Sequence, residues 1–126
     1  MTRYAELAVT TNFSFLRGAS HPGEMVMVAE RLGLDAIAIA DRNSFAGIVR
    51  AFDAWKKNKV ALKLIVGVRL VTVDGLEILA YPTDREAYAR LCRLLTAGKL
   101  KASHKEHTEC HVTFEDILEA AEDQIF

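Results

Sequence analysis

The chain has 126 residues, 51% hydrophobic and 26% charged, a balance typical of a folded domain with its own core. Its formal net charge of −1 excludes a strong overall attraction to nucleic acid or to an anionic membrane. Two cysteines are too few for a disulfide framework, and no apolar stretch approaches the roughly 18 residues of a membrane span. We therefore expect one reduced, soluble, cytoplasmic domain without a secretory or transit peptide.

Strands and helices alternate in the first half of the sequence. Residues 5–10 and 36–40 are apolar runs that predict buried strands, and an amphipathic segment follows each of them. We expect Ser20 to cap the first helix, Gly33 to end it, and Ser44 to cap the second. This alternation predicts an α/β fold with parallel strands. The apolar stripes predicted for the two helices are Met25, Val28, Ala29 and Leu32, then Phe45, Ile48, Val49 and Phe52.

A hairpin interrupts the alternation in the second half. Residues 62–66 and 68–73 predict strand structure broken at Gly67, and Asp74 with Gly75 predicts a type I′ turn that returns through residues 76–81. A capping box at residues 83–86 predicts a helix that ends before Gly98, followed by a loop over residues 99–110. Another box at residues 113–116 opens a last helix, whose inward side chains we expect to be Phe114, Ile117, Leu118 and Ala121. Because two apolar residues end the chain directly after this helix, we expect an excised piece of a longer protein.

Three segments in this order resemble a known family. Residues 6–14 (Glu-Leu-Ala-Val-Thr-Thr-Asn-Phe-Ser), 38–42 (Ala-Ile-Ala-Asp-Arg) and 63–69 (Lys-Leu-Ile-Val-Gly-Val-Arg) are similar to the opening motifs of the polymerase and histidinol phosphatase (PHP) domain of bacterial C-family DNA polymerases. Residues 12–22 and 41–43 are most similar to the error-prone, damage-tolerant branch. The resemblance implies a distorted (β/α)7 barrel with mainly parallel strands and one hairpin. Residues 1–126 would then be a partial PHP domain, the N-terminal part of that barrel.

The resemblance also implies a metal centre whose ligands are largely replaced in this sequence. Active members of the family bind divalent metals through His, Asp and Glu, with a His-x-His pair at the end of the first strand. Ala8 and Thr10 occupy that pair, Glu6 and Arg42 match further histidines, and Arg69 matches a glutamate. The degenerate positions are Glu6, Ala8, Thr10, Asp41, Arg42 and Arg69. Only Asp41 keeps the matching residue, and the arginines would repel a divalent cation, so we expect no catalytic residue and no bound metal.

Two interpretations of Asp41 follow from its position at a strand end. We hypothesise that Arg42 or Arg69 forms an ion pair with Asp41 or Glu6, so that a protein cation replaces the metal. In the alternative, Asp41 is a structural acceptor of hydrogen bonds from a loop or from the start of the next helix, without a catalytic role.

Other candidate ligands are concentrated near the C-terminus. Residues 104–111 contain three of the four histidines together with Cys110, but the rest of the sequence offers no second pair to close a zinc site. We favour a solvated loop there over adventitious metal binding. We expect a surface or capping role for His21, no nucleophilic role for Cys110, and a core or border position for Cys92.

Two basic clusters raise the question of nucleic acid. In neither cluster do aromatic residues alternate with the cations along the sequence. We therefore favour solvated helix faces over a weak binding site for the phosphates of nucleic acid. The clusters are Lys56, Lys57, Lys59 and Lys63, then Arg85, Arg90, Arg93, Lys99 and Lys101.

The function implied by the resemblance is a non-catalytic, stabilising or scaffolding PHP domain in an error-prone DNA polymerase active in DNA repair and translesion synthesis. Nucleotide transfer with Mg²⁺, and contact with DNA, would belong to the full-length protein, and the domain's partner would be the rest of that chain. We expect no membrane partner, and an open sheet edge could allow self-association. One alternative is a metal-dependent phosphoesterase or 3′–5′ exonuclease using Asp41, Glu6 and the later histidines. Another is a free-standing domain that binds a small anion near Ser20 and Ser44.

Overall fold

A computed structural model describes residues 3–14, 17–102 and 110–126. The predicted α/β class is confirmed, with hydrogen-bonded neighbouring strands following one another in chain order. The chain divides into two compact units, residues 1–68 and 69–126. The elements are β1 (Ala5–Val9), α1 (Pro22–Arg31), β2 (Ala36–Arg42), α2 (Ala46–Lys57), β3 (Lys63–Val71), β4 (Glu77–Pro82), α3 (Arg85–Ala102), α4 (Phe114–Glu119) and β5 (Gln124–Ile125).

In the first unit, β1 and β2 pair in parallel, as the alternation predicts. Their register changes between Glu6 and Val9, where the Glu6 carboxylate accepts a hydrogen bond from the Ala8 amide at 3.2 Å. β2 is buried along nearly its whole length, which is typical of a parallel strand covered on both faces. The core formed here is Val9, Val26, Ala29, Ile37, Ile39, Ile48, Ala51, Val60 and Leu62.

The predicted stripes of the first two helices are partly wrong. In α1 the buried residues are Pro22, Val26 and Ala29, whereas Leu32 is 71% exposed. In α2 they are Gly47, Ile48 and Ala51, whereas Val49 is 70% exposed. Each helix has apolar residues on more than one side, and small residues on the buried side let the backbone pack closely.

The beginnings and ends of these helices are also informative. His21 is the N-cap of α1, and its side chain makes no capping hydrogen bond, so the predicted Ser20 cap is wrong. Pro22 supplies a fixed φ at a position that needs no amide donor. Gly33 ends α1 in the left-handed conformation at φ 71°, as predicted. The Ser44 hydroxyl accepts from the Ala46 amide at 3.0 Å, although Phe45 is the N-cap of α2.

The second unit contains the predicted hairpin turn with a different geometry. The Gly75 amide donates to the Thr72 carbonyl at 3.0 Å, and Gly75 has φ 90°. Asp74 does not share this left-handed conformation, so the turn is not type I′, which needs positive φ at both central residues. The predicted break at Gly67 is likewise wrong, because β3 continues through it.

Helix α3 is longer than predicted. It continues through Gly98 to Ala102, and the Asp84 carboxylate caps its start by accepting from the Ala87 amide at 2.7 Å. Gly98 lies inside the helix rather than after its end. A side chain does not fit at this position, because a Cβ would lie 2.8 Å from Cys110 Sγ. Its role is close packing rather than termination.

Helix α4 opens with the predicted capping box. The Thr113 hydroxyl accepts from the Asp116 amide, and the Asp116 carboxylate accepts from the Thr113 amide. Ile117 is buried as predicted, but Phe114 and Leu118 are 42% and 57% exposed, so their inward assignment is wrong. Strand β5 was not predicted; it pairs antiparallel with β4.

The capping box predicts a pH dependence of stability. The hydrogen bond from the Thr113 backbone amide is the largest cause that lowers the pKa of Asp116. The Thr113 hydroxyl, Lys101 and His111 lower it further by smaller amounts. Because the folded pKa is depressed, the stabilisation is present above the unfolded value of about 3.9 and is lost as pH falls through the folded pKa. In urea titrations, Asp116→Asn should therefore cost about 0.5–1 kcal/mol at pH 7 and less at pH 3. An equal cost at both pH values would contradict this assignment.

Candidate functional site

The centre of the candidate site is Asp41, which is 1% exposed at the end of β2. Three donors from the loop after β1 satisfy its carboxylate. Oδ1 accepts from the Thr11 amide at 2.7 Å and from the Ser14 hydroxyl at 2.7 Å. Oδ2 accepts from the Thr11 hydroxyl at 2.7 Å. We call Asp41, Thr11 and Ser14 the Asp41 network.

Further hydrogen bonds continue the network into the backbone. The Ser14 hydroxyl accepts from the Arg42 amide at 3.0 Å, and the Thr11 hydroxyl accepts from the Phe13 amide at 3.2 Å. Because each hydroxyl donates to Asp41 and accepts from a backbone amide, the network ties the loop after β1 to the end of β2.

Two glycines leave room for this loop and its carboxylate. A Cβ on Gly47 in α2 would lie 2.9 Å from Asp41 Oδ2 and 3.1 Å from Thr11 Oγ1. A Cβ on Gly18 would lie 2.3 Å from the Thr11 carbonyl oxygen. The distances of 2.9 Å at Gly47 and 2.3 Å at Gly18 are shorter than a Cβ atom tolerates, so the network requires glycine at these positions.

The predicted replacement of metal by an ion pair is wrong. In the described ranges, the hydrogen-bond partners of Asp41 are neutral, and Arg69 lies 3.4 Å from Glu77 instead. Glu6 accepts from the Tyr4 hydroxyl at 2.9 Å, and this bond, with the Glu6 charge, raises the pKa of Tyr4. Hydroxyl and amide donors satisfy Asp41 without the desolvation cost of burying a second charge beside it. The alternative prediction, a structural acceptor, describes Asp41 correctly.

The residues at this site do not fit a divalent metal. Over residues 3–14, 17–102 and 110–126, no three His, Cys, Asp or Glu side chains come together in a way that could hold a metal ion. Both oxygens of Asp41 already accept hydrogen bonds from donors that would have to move before a cation could bind. At the partly buried positions Ala8 and Thr10, the side chains offer one methyl group and one hydroxyl.

The comparisons with known proteins match this chain along nearly its whole length. A model of the PHP domain family matches residues 6–126. The chain belongs to the PHP domain family. It is 59% identical over 118 residues, 91% of its length, to an error-prone DNA polymerase of Rhodopseudomonas palustris strain HaA2. It is 54% identical over 123 residues, 97% of its length, to an error-prone DNA polymerase of Caulobacter vibrioides. These findings confirm the resemblance to the error-prone branch.

The PHP domain described here spans about a tenth of the length of those curated relatives, 10% and 11% respectively. Among solved structures, it is similar to a protein of Bifidobacterium adolescentis provisionally assigned as a metal-dependent phosphoesterase. The TM-score is 0.61 at 22% identity, covering 98% of this chain and 45% of the other. An amidohydrolase of Chromobacterium violaceum gives a TM-score of 0.61 at 20% identity, covering 76% and 33%. At these identities the two structures support the fold alone.

The remaining sequence candidates lie apart from the Asp41 network or outside the described residues. His21 is exposed, as predicted, with Nδ1 3.0 Å from Asn12 Nδ2. Burial raises the pKa of the Cys110 thiol, which disfavours the thiolate that a nucleophile needs. Cys92 is half-buried, as predicted for a border residue. Residues 104–109 of the histidine-rich segment 104–111 lie outside the described residues. No helix in the described ranges has the length and apolar character needed to cross a bilayer.

The sequence reasoning missed Thr11, Ser14 and Gly47 as functional partners of Asp41. A signal for the hydroxyls was present, because a carboxylate that ends a buried strand must find donors, and small hydroxyl residues follow the neighbouring strand. Gly47 gave no such signal, because its role depends on a close approach seen only in three dimensions.

Proposed function

We propose that this chain is a metal-independent PHP domain that stabilises an error-prone DNA polymerase and takes no part in bond cleavage itself. The observation that carries the proposal is the Asp41 network. The one residue that matches the family's metal ligands is buried, and neutral donors on loop 11–14 saturate it.

The rest of the proposal follows from the relatives of the chain, which are named error-prone DNA polymerases. In such a protein, Mg²⁺-dependent nucleotide transfer would use carboxylates outside these residues. The whole protein would act in DNA repair and translesion synthesis in the bacterial cytoplasm, and the rest of the polymerase chain would be this domain's partner. Within the domain, the network would hold the ends of β1 and β2 together, a task that bound cations would otherwise perform.

Metal content and turnover test the proposal directly. We expect purified protein to hold less than about 0.1 equivalent of metal by plasma mass spectrometry. It should not hydrolyse a phosphomonoester or single-stranded DNA when manganese is added. Neither EDTA nor manganese should shift the melting temperature, whereas an ion present at 100 times its Kd would stabilise the fold by about 2.7 kcal/mol.

The alternative, a phosphoesterase with an atypical ligand set, predicts the opposite results. Two or three tightly held ions, with a hydrolytic activity that Asp41→Ala abolishes, would establish it and overturn the metal-independent proposal. Asp53→Ala is the matched control, because Asp53 is an exposed carboxylate on α2 outside the Asp41 network.

A further inference from the structure

Two exposed ring–cation pairs lie at α2, one on each edge of its solvent-exposed side. Phe52 is 48% exposed, and Lys56 Nζ lies 6.0 Å from the centre of its ring. Phe13, on the loop after β1, is 37% exposed, and the guanidinium carbon of Arg50 lies 5.8 Å from its ring centre. Both distances are within the range of a cation–π interaction.

A third ring fixes the geometry on the Phe52 side. Trp55 lies 5.7 Å from Phe52 between ring centres, with the planes tilted by 32°. Its indole Nε1 donates to the Leu62 carbonyl at 2.7 Å, so the indole is held in place while Phe52 stays accessible. Rings held in this way lose little conformational entropy when they bind a planar ligand.

The segment that contains α2 is more positively charged than the chain as a whole. Residues 46–63 contain five Lys and Arg residues against one acidic residue, Asp53, although the whole chain has a formal net charge of −1. Within the described ranges, none of these five cations forms an ion pair with a carboxylate. Their charge is therefore available to an anionic partner.

We propose that these residues form a binding surface for single-stranded polynucleotide. The aromatic–basic surface consists of Phe13, Arg50, Phe52, Trp55, Lys56 and Lys57. Aromatic rings stack on the faces of unpaired bases, and neighbouring cations bind the phosphates, which is the combination that single-stranded nucleic acid requires. An acidic peptide would use the cations alone, and a duplex already has its bases stacked.

The proposed surface differs from the sequence-based interpretation of the first basic cluster as a solvated helix face. In the sequence, no aromatic residue alternates with the lysines of this cluster. The rings reach the cations only in the folded chain, since Phe13 comes from a distant segment and Phe52 contacts Lys56 one helical turn away. The proposal is independent of the metal-independent role, since the surface lies outside the Asp41 network.

The single tryptophan gives a direct readout of binding. We expect a (dT)20 oligonucleotide to quench the fluorescence of Trp55, and a fluorescein-labelled copy to bind with rising anisotropy, at about 50 mM salt. A duplex of matching length should bind more weakly. Absence of saturable binding would overturn the proposal, as would equal affinity for the duplex or for phosphatidylserine vesicles.

Three variants at exposed positions separate the contribution of stacking from that of charge. Phe52→Leu keeps an apolar side chain but removes the ring, and should weaken (dT)20 binding at least about fivefold. The double variant Lys56→Gln, Lys57→Gln should reduce the slope of log affinity against log salt by up to about 1.4, since each phosphate contact to a single strand contributes roughly 0.7. Asp53→Asn removes the one carboxylate and should tighten binding, an effect that misfolding cannot imitate.

A matched control lies on α3. Arg85→Gln with Arg93→Gln removes two exposed cations of the second cluster and should leave both affinity and salt slope unchanged. If this control changes the slope as much as the Lys56 and Lys57 variant, or if Phe52→Leu binds like the unmodified chain, the proposed surface is wrong.

Discussion

Asp41→Ala should lower the free energy of unfolding by about 3–5 kcal/mol, a large share of the stability of a domain of this size. The substitution leaves the Thr11 amide and the Thr11 and Ser14 hydroxyls without their acceptor in a buried site. Each unsatisfied buried donor costs roughly 1–3 kcal/mol, although the hydroxyls can partly reorient. Urea denaturation followed by circular dichroism at pH 7 measures the loss.

Asp41→Asn tests the same network without a cavity. Its amide oxygen can accept from the Thr11 amide and the Ser14 hydroxyl, and its NH2 group can donate to Thr11 Oγ1 once that hydroxyl turns away. We expect a smaller loss, about 1–2 kcal/mol. Asp53→Ala, an exposed carboxylate replaced on a helix, should change stability by less than about 0.5 kcal/mol. A loss below 1 kcal/mol for Asp41→Ala would show that the network does not hold the fold together.

The proposed stabilising role gives this loss a functional consequence. In a full-length polymerase, Asp41→Ala should lower the melting temperature and the yield of folded protein. The rate of nucleotide incorporation per folded molecule should stay the same, because no residue of the Asp41 network would touch the substrate. A lower rate with unchanged stability would instead indicate a catalytic role.

The α/β class and the order of elements could be predicted from the sequence because burial patterns and turn residues are local signals. Runs such as residues 36–40 are apolar on both faces and match a buried β2. The buried side of α1 was less predictable, because Val28 and Val26 are both apolar and only packing decides that Val26 is the buried one. Gly98 illustrates the same limit. From the sequence alone, a glycine that allows close packing inside α3 cannot be distinguished from one that ends a helix.

The candidate site shows where a resemblance helps and where it stops. Matching the motifs located Asp41 and predicted which positions have lost the family's metal ligands. It could not predict what satisfies the carboxylate instead, because donors from Thr11 and Ser14 are 30 and 27 residues away in sequence. The neighbouring arginines favoured an ion pair with Asp41 on charge alone, whereas in the structure three neutral donors from a distant loop reach the carboxylate.

Gly47→Ala is the second substitution with a large expected effect. Alanine is the better helix former by about 1 kcal/mol, so an exposed site in α2 would gain stability from this change. Here the new methyl group would lie 2.9 Å from Asp41 Oδ2, 3.1 Å from Thr11 Oγ1 and 3.2 Å from Pro22 Cγ. Displacing a buried carboxylate from its donors outweighs the gain in propensity, and we expect a net loss of about 2–3 kcal/mol in urea denaturation.

A double-mutant cycle with Asp41→Ala identifies the cause of that loss. If the clash with the carboxylate is responsible, Gly47→Ala should cost at least about 1 kcal/mol less in the Asp41→Ala background than in the unmodified chain. Gly23→Ala in α1 is the control, because a Cβ there meets Ala54 Cβ at 3.3 Å and no network atom, so its effect should stay within about 1 kcal/mol. Additive costs in the cycle would show that the Asp41 carboxylate is not the source of the strain, which would then lie at Thr11 Oγ1 or Pro22 Cγ. In either case the carboxylate itself would tolerate a larger neighbour.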